Sequence, residues 1–127
     1  MFKNDFDAYV CEGDTITCEK EGFTVVARLE HDCDTTPSDF DCYSKRAIEA
    51  WKNDEWHFFG VVLSVSVGEV EIADHAASLW GIEGNFPSRR KNPNKYFREV
   101  ANDLLDEAIQ QATVKAGNMI QRLSSVA

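Results

Sequence analysis

Hydrophobic and polar residues alternate in the first third of the chain, in two runs that a short turn separates. Asp14–Glu19 puts Ile16 and Cys18 on one face. Phe23–His31 likewise puts its alternate positions, Phe23, Val25, Ala27 and Leu29, on one face. A period of two is typical of half-buried β-strands. The intervening Lys20-Glu21-Gly22 segment suits a tight turn, so these residues predict a β-hairpin.

A short helix is predicted next. Ser44 can act as its N-cap, and Ala47, Ile48 and Trp51 recur at helical spacing on one face. The polar pair Asn53-Asp54 ends this pattern.

The most regular alternation in the chain follows at His57–Val67, where five apolar residues share one face. Gly68 suits a turn into a return strand at Glu69–Ile72, which predicts a second hairpin. A further short strand is predicted at Ala77–Glu83.

The C-terminal part predicts one long helix over residues 93–124. Its start is predicted at Asn92, Pro93 or Asn94, where an asparagine can act as N-cap or the proline can occupy the first helical position. Its apolar residues form a single broad stripe at helical spacing. The expected fold is therefore α+β, a single domain over 1–127. An antiparallel sheet of about four or five strands packs against the C-terminal helix. The apolar stripe is longer than a small sheet can cover, which predicts a homodimer through helix 93–124.

Negative charge is concentrated at the N-terminal end of the chain. The formal net charge is −9, and residues 1–42 hold eleven carboxylates against three cations, a net of −8. Such a surface repels nucleic acid and anionic membranes and attracts basic partners. No apolar run is long enough for a membrane span and no signal-type segment opens the chain, so a cytoplasmic location is expected.

The loop between the first hairpin and the short helix holds four aspartates, namely Asp32, Asp34, Asp39 and Asp41. Three interpretations remain open. The loop can bind a divalent cation, although it lacks the spacing and the glycine of an EF-hand. It can recognise lysine or arginine side chains of a partner, together with Glu30. It can also be a solvated loop in which residues 36–39 form the first turn of a helix.

Evidence for catalysis or a cofactor is weak. His31, Cys33 and Asp34 make at most half of a metal site, and the cysteine spacings match no common zinc motif. Asp74 and His75 are adjacent, but no nucleophile elbow surrounds the nearby serine. Phosphate-binding and zinc-protease motifs are absent from the sequence. We therefore expect no enzyme activity, catalytic residue, metal or cofactor.

Two further groups are secondary candidates for partner binding. Trp56 and Trp80 are costly to expose, so core packing is the favoured interpretation of both, and the alternative is that one of them anchors a partner. Arg89, Arg90 and Lys91 form a basic cluster, which in this acidic chain is expected to offset carboxylates rather than to bind nucleic acid directly.

Three segments, TPSDFDCYSKRAIEAWKNDEW, HAASLWGIEGNFP and YFREVANDLLDEAI, resemble small acidic proteins of bacteriophages and other mobile elements. That resemblance implies a setting in which such proteins often inhibit host defence, as anti-CRISPR proteins and DNA mimics do. The expected function is a non-enzymatic factor of phage or plasmid origin that binds a basic host protein or nucleoprotein complex. The alternatives are a metal- or ligand-binding accessory domain and a self-associating phage component.

Overall fold

The computed structural model describes residues 1–87 and 93–126, and its centre is one antiparallel sheet. The strands pair in chain order and are β1 (Thr15–Lys20), β2 (Phe23–His31), β3 (His57–Val67) and β4 (Val70–Gly84). A 3₁₀ turn (Pro37–Asp39) and helix α1 (Lys45–Lys52) connect β2 to β3, and helix α2 (Tyr96–Val126) follows β4. The predicted α+β architecture is confirmed.

The first hairpin forms as its alternation predicts. Its register runs from Thr15 opposite Arg28 to Lys20 opposite Phe23. The two turn residues, Glu21 and Gly22, both have positive φ values, 55° and 84°. Two successive residues of this kind match the twist of paired strands.

β4 is one long strand where the sequence predicts two. Its pairing with β3 is interrupted by three register shifts. The largest lies between the pairs Leu63–Ala77 and Val65–Ala73, where β4 has two more residues than β3. Such bulges break the period-two pattern without ending the strand, which is why residues 73–76 are hard to interpret from sequence.

The main core lies between one face of the sheet and the first half of α2. Alternate residues of β2 and β3 point into it, and most of them are completely buried. Phe97, Ala101, Leu105, Ala108 and Ala112 close it from the helix side. Each large aliphatic or aromatic side chain buried in this way contributes roughly 1.5–3 kcal/mol.

The N-terminal segment contributes to the same core, although its residues show neither a strand nor a helix pattern. Residues 1–14 contain no helix or strand, yet Phe2, Phe6 and Val10 are at most 4% exposed. Phe6 packs edge-on against Phe97, with ring centroids 6.0 Å apart. Phe2, Phe6 and Val10 are four residues apart. Such a spacing can occur in a helix, but here the segment that carries the three side chains contains no helix.

Three asparagines hold this segment in place. Asn102 accepts the N–H of Phe2 at 2.7 Å, and Asn85 accepts the N–H of Val10 at 2.9 Å. Asn94 has no exposed surface and donates to the carbonyl of Ala8 at 2.7 Å. Asn94 is therefore a link between segments, and α2 begins two residues after it.

The second face of the sheet is covered at one end by aromatic residues. Ser44 caps α1 by accepting the N–H of Ala47 at 3.1 Å, as predicted. Trp56 is completely buried and donates its indole N–H to the carbonyl of Ala47 at 2.8 Å. Tyr43 and Phe58 pack against the same indole.

Within the described residues, no helix combines the length and apolar character required to cross a membrane.

Candidate functional site

Asp32 organises the loop that follows β2. One carboxylate oxygen accepts the N–H of Asp34 at 3.0 Å, and the other accepts the hydroxyl of Thr35 at 2.7 Å and the N–H of Gly81 at 2.9 Å. Gly81 has a φ of 75°, which a residue with a side chain rarely adopts. Asp32 thus connects the loop to a bulge of β4 and fixes both.

Two other predicted acidic residues also have partners within the chain. Asp39 accepts the N–H of Thr36 at 2.9 Å within a single 3₁₀ turn, which agrees with the capping interpretation of residues 36–39, although no longer helix continues from it. Glu30 accepts the guanidinium Nε–H of Arg28 at 2.9 Å. These carboxylates are consequently less available to a basic partner than their number suggests.

Asp34 and Asp41 differ from the other three. Both are exposed, and neither has a side-chain hydrogen bond or an ion pair within the described residues. An exposed carboxylate without an internal partner keeps its full charge available for an incoming cation.

Trp80 lies beside this loop. Its half-exposed indole is on the second face of the sheet, opposite the main core. Its ring lies directly on Gly60 of β3, where a Cβ atom would overlap it. Its Nε1–H donates to the hydroxyl of Ser78 at 3.2 Å, and the side chain is 43% exposed. The glycine therefore provides the space that holds the indole flat and accessible.

The loop and the indole together enclose a surface cavity of about 450 Å³. The fold thus brings together Asp32, Asp34 and Trp80, three predicted site residues that lie up to 48 positions apart. The residues that line the cavity are His31, Asp32, Cys33, Asp34, Thr35 and Trp80. An aromatic face beside carboxylates is a suitable environment for an ammonium or guanidinium group.

A second cavity of about 410 Å³ lies on the other side of the same loop, towards α1. Its walls include Trp51, Lys52 and the imidazoles of His31 and His57. The two imidazoles stack with centroids 4.8 Å apart and planes 26° from parallel. Their nitrogens face different carboxylates, since His31 Nδ1 lies 3.9 Å from Glu12 and His57 Nε2 lies 3.3 Å from Asp54. In residues 1–87 and 93–126, no three histidine, cysteine or acidic side chains are placed to hold a metal.

Trp56 does not meet the requirement for a partner anchor, because it is completely buried. Trp80 is the exposed member of the predicted pair. The remaining candidates, Arg89, Arg90 and Lys91, lie outside the described residues. A signal for the Trp80 cavity does exist in the sequence, because a glycine inside a strand often marks a close approach.

The Asp74-His75 pair forms part of a polar cluster around Arg28. His75 Nδ1 lies 3.3 Å from Asp74 Oδ2, and Arg28 lies 3.3 Å from the other imidazole nitrogen. Ser64 donates its hydroxyl to the carbonyl of Asp74 at 2.7 Å, whereas Ser78 accepts the indole of Trp80. The cluster is consequently a hydrogen-bond network in which neither serine hydroxyl is bonded to the imidazole.

Comparison with known proteins gives no match to a protein-family model, a curated protein or a solved structure.

Proposed function

We propose that this chain is a non-enzymatic protein-binding factor that recognises a basic protein surface through the cavity at Trp80 and the free carboxylates of the adjoining loop. The observation that carries the proposal is the indole of Trp80, held half-exposed on Gly60 at the edge of a cavity that Asp34 also lines. A lysine or arginine side chain that enters this cavity gains both an ion pair and a cation–π contact.

The charge of the chain supports a basic partner. A formal net charge of −9 speeds the approach of a cationic protein and disfavours nucleic acid and anionic membranes. Since Asp32 and Asp39 stabilise their own loop, we assign the contact to Asp34 with Trp80, and steering to Asp41. The surface therefore acts as an anchor with a charged surround, which differs from the distributed carboxylates of a DNA mimic.

The proposed biological role follows from the resemblance to small phage and mobile-element proteins. In that setting, a factor of phage or plasmid origin occupies a basic surface that a host defence complex uses for nucleic acid, and so inhibits the complex. Host proteins of this kind expose clustered lysine and arginine side chains to contact phosphates.

The anchor can be tested with a short arginine-rich peptide as the probe. We expect the peptide to shift the NMR signals of the Trp80 indole N–H and of the backbone amides of residues 31–35. Trp80→Ala and Asp34→Asn should each weaken binding by about tenfold, which corresponds to roughly 1.4 kcal/mol. Asp41→Asn should mainly flatten the salt dependence.

Gly60→Ala is a matched variant for the same experiment. It leaves every carboxylate in place but displaces the indole from its seat, so it should weaken the peptide as Trp80→Ala does. Glu55→Gln, an exposed carboxylate away from this cavity, is the control for loss of one charge. Two results together would show diffuse charge attraction and overturn the proposal. Trp80→Ala would leave peptide binding unchanged, and Glu55→Gln would weaken it as much as Asp34→Asn does.

A further inference from the structure

Helix α2 extends well beyond the sheet that it covers. The last buried residue is Ala112, and between Thr113 and Val126 only Ala116 is even partly buried. The ion pair between Lys20 and Asp106, at 2.8 Å, fixes where the helix passes the end of β1. We call Thr113–Val126 the tail. At 1.5 Å per residue, its length is about 21 Å.

The tail continues the apolar stripe that packs on the sheet. Successive members of the stripe alternate between spacings of four and three residues: Leu105, Ile109, Ala112, Ala116, Met119, Leu123 and Val126. The first three are buried, whereas Leu123 is 69% and Val126 is 85% exposed. Ile120, beside the stripe, is 65% exposed. A continuous exposed stripe of this kind is characteristic of an interaction surface.

The charge of the tail is opposite to that of the remaining chain. Lys115 and Arg122 are its only charged residues, so the rest of the chain has a formal net charge of −11. A cationic, apolar helix therefore extends from the acidic rest of the chain, which we call the body. The surface that complements it is apolar and bordered by carboxylates.

The body has such a surface where both hairpins turn, which we call the hairpin end. Val67 and Val70 pair on the face of the sheet that α2 covers, yet they are 46% and 57% exposed. The carboxylates at this end are exposed and form no ion pair within the described residues. They are Glu19, Glu21, Glu69 and Glu71.

We propose that the tail of one copy docks on the hairpin end of a second copy, in a symmetric homodimer. A straight helix leaves its own sheet at this end and cannot fold back on it, whereas a second copy offers the same surface to be covered. A two-fold arrangement buries both tails in one closed interface. Lys115 and Arg122 then face the glutamates of the other copy.

The first test is sedimentation equilibrium over a wide range of protein concentration. We expect the wild type to dimerise and Leu123→Glu to weaken the dimer by at least about tenfold, because the change places a charge where an apolar side chain is buried in the interface. Ser124→Glu adds the same charge beside the stripe and is the control. The fold should tolerate both changes, since neither side chain touches the core.

A charge-exchange experiment identifies the surfaces. Lys115→Glu with Arg122→Glu makes both tail and body negative, while Glu69→Lys with Glu71→Lys offsets the remaining glutamates of the hairpin end and leaves the tail positive. Each double variant alone should dimerise more weakly than the wild type, and an equal mixture of the two should form a heterodimer.

Several outcomes would overturn the proposal. A monomeric wild type at the highest concentration would do so, as would a dimer that Leu123→Glu does not affect. Failure of the mixed double variants to associate would exclude the hairpin end as the docking surface. A monomer that binds anionic vesicles through the tail would assign the helix to a lipid surface instead. None of these outcomes bears on the Trp80 cavity, which is tested separately.

Discussion

Asn94→Asp tests how a segment without helix or strand is held in the core. The amide nitrogen of Asn94 donates to the carbonyl of Ala8 at 2.7 Å and to Asn85 Oδ1 at 2.9 Å, and its oxygen accepts the N–H of Asn85 at 2.7 Å. Aspartate has nearly the same shape but replaces both donations with an acceptor. The variant therefore isolates hydrogen-bond polarity from side-chain size.

The expected loss follows from these contacts. Two neutral hydrogen bonds contribute about 1 kcal/mol each, and two oxygens then face a buried carboxylate that has no exposed surface. We expect a loss of about 2–4 kcal/mol in the free energy of unfolding at neutral pH. Urea denaturation followed by tryptophan fluorescence measures it, since Trp56 is buried in the fold.

The loss should also depend on pH, with a definite sign. Burial beside acceptors raises the pKa of an aspartate, so the protonated form is favoured in the folded state. The stability of Asn94→Asp relative to the wild type should then be greatest below about pH 4, where the unfolded carboxyl is also protonated, and should fall as the pH rises through the folded pKa. Asn4→Asp, an exposed change in the N-terminal segment that Asn94 holds, controls for the added charge. Equal stability of the two variants at all pH values would refute the reasoning.

Two further predictions concern the core and the second face of the sheet. Phe6→Ala should lower the free energy of unfolding by about 3–5 kcal/mol, because Phe6 is 4% exposed and packs on Phe97; a loss below about 1 kcal/mol in urea denaturation would show that the N-terminal segment is not part of the core. Burial raises the pKa of the Tyr43 phenol, and its hydrogen bond to Glu83 raises it further. The stability that this phenol contributes is complete below about pH 10 and is lost at higher pH, so the advantage of the wild type over Tyr43→Phe should shrink in strong alkali. A constant difference between the two proteins across that range would contradict this.

The parts of the fold that the sequence predicts are those where periodicity is local and unbroken. The alternation in β2 and β3 gives both strands, and the helical stripe after Tyr96 gives α2. β4 is divided in the prediction because the extra residues between Ala73 and Ala77 interrupt its alternation, and the adjacent Ala76 and Ala77 are both buried. Local patterns cannot show a bulge, since the partner strand stabilises it.

The N-terminal segment illustrates a second limit. Phe2, Phe6 and Val10 follow neither a strand nor a helix period, and asparagine side chains far along the chain accept the backbone N–H groups of Phe2 and Val10. The candidate site is limited in the same way. The acidic loop is evident in the sequence, and Gly60 indicates a close approach, but which side chain lies on it depends on the pairing of β3 with β4.

The two proposed surfaces lie at opposite ends of the strands, which has a consequence for binding. The Trp80 cavity adjoins His31, the last residue of β2, whereas the tail leaves the sheet near the turn that precedes Phe23. Dimerisation through the hairpin ends would therefore leave both cavities facing away from the interface. Two identical anchors on one rigid particle favour a partner with repeated basic sites, because the second contact forms within an existing complex. A Leu123→Glu monomer would then keep its affinity for a single arginine-rich peptide and lose the additional affinity that the dimer has for two such peptides joined by a linker long enough to reach both cavities.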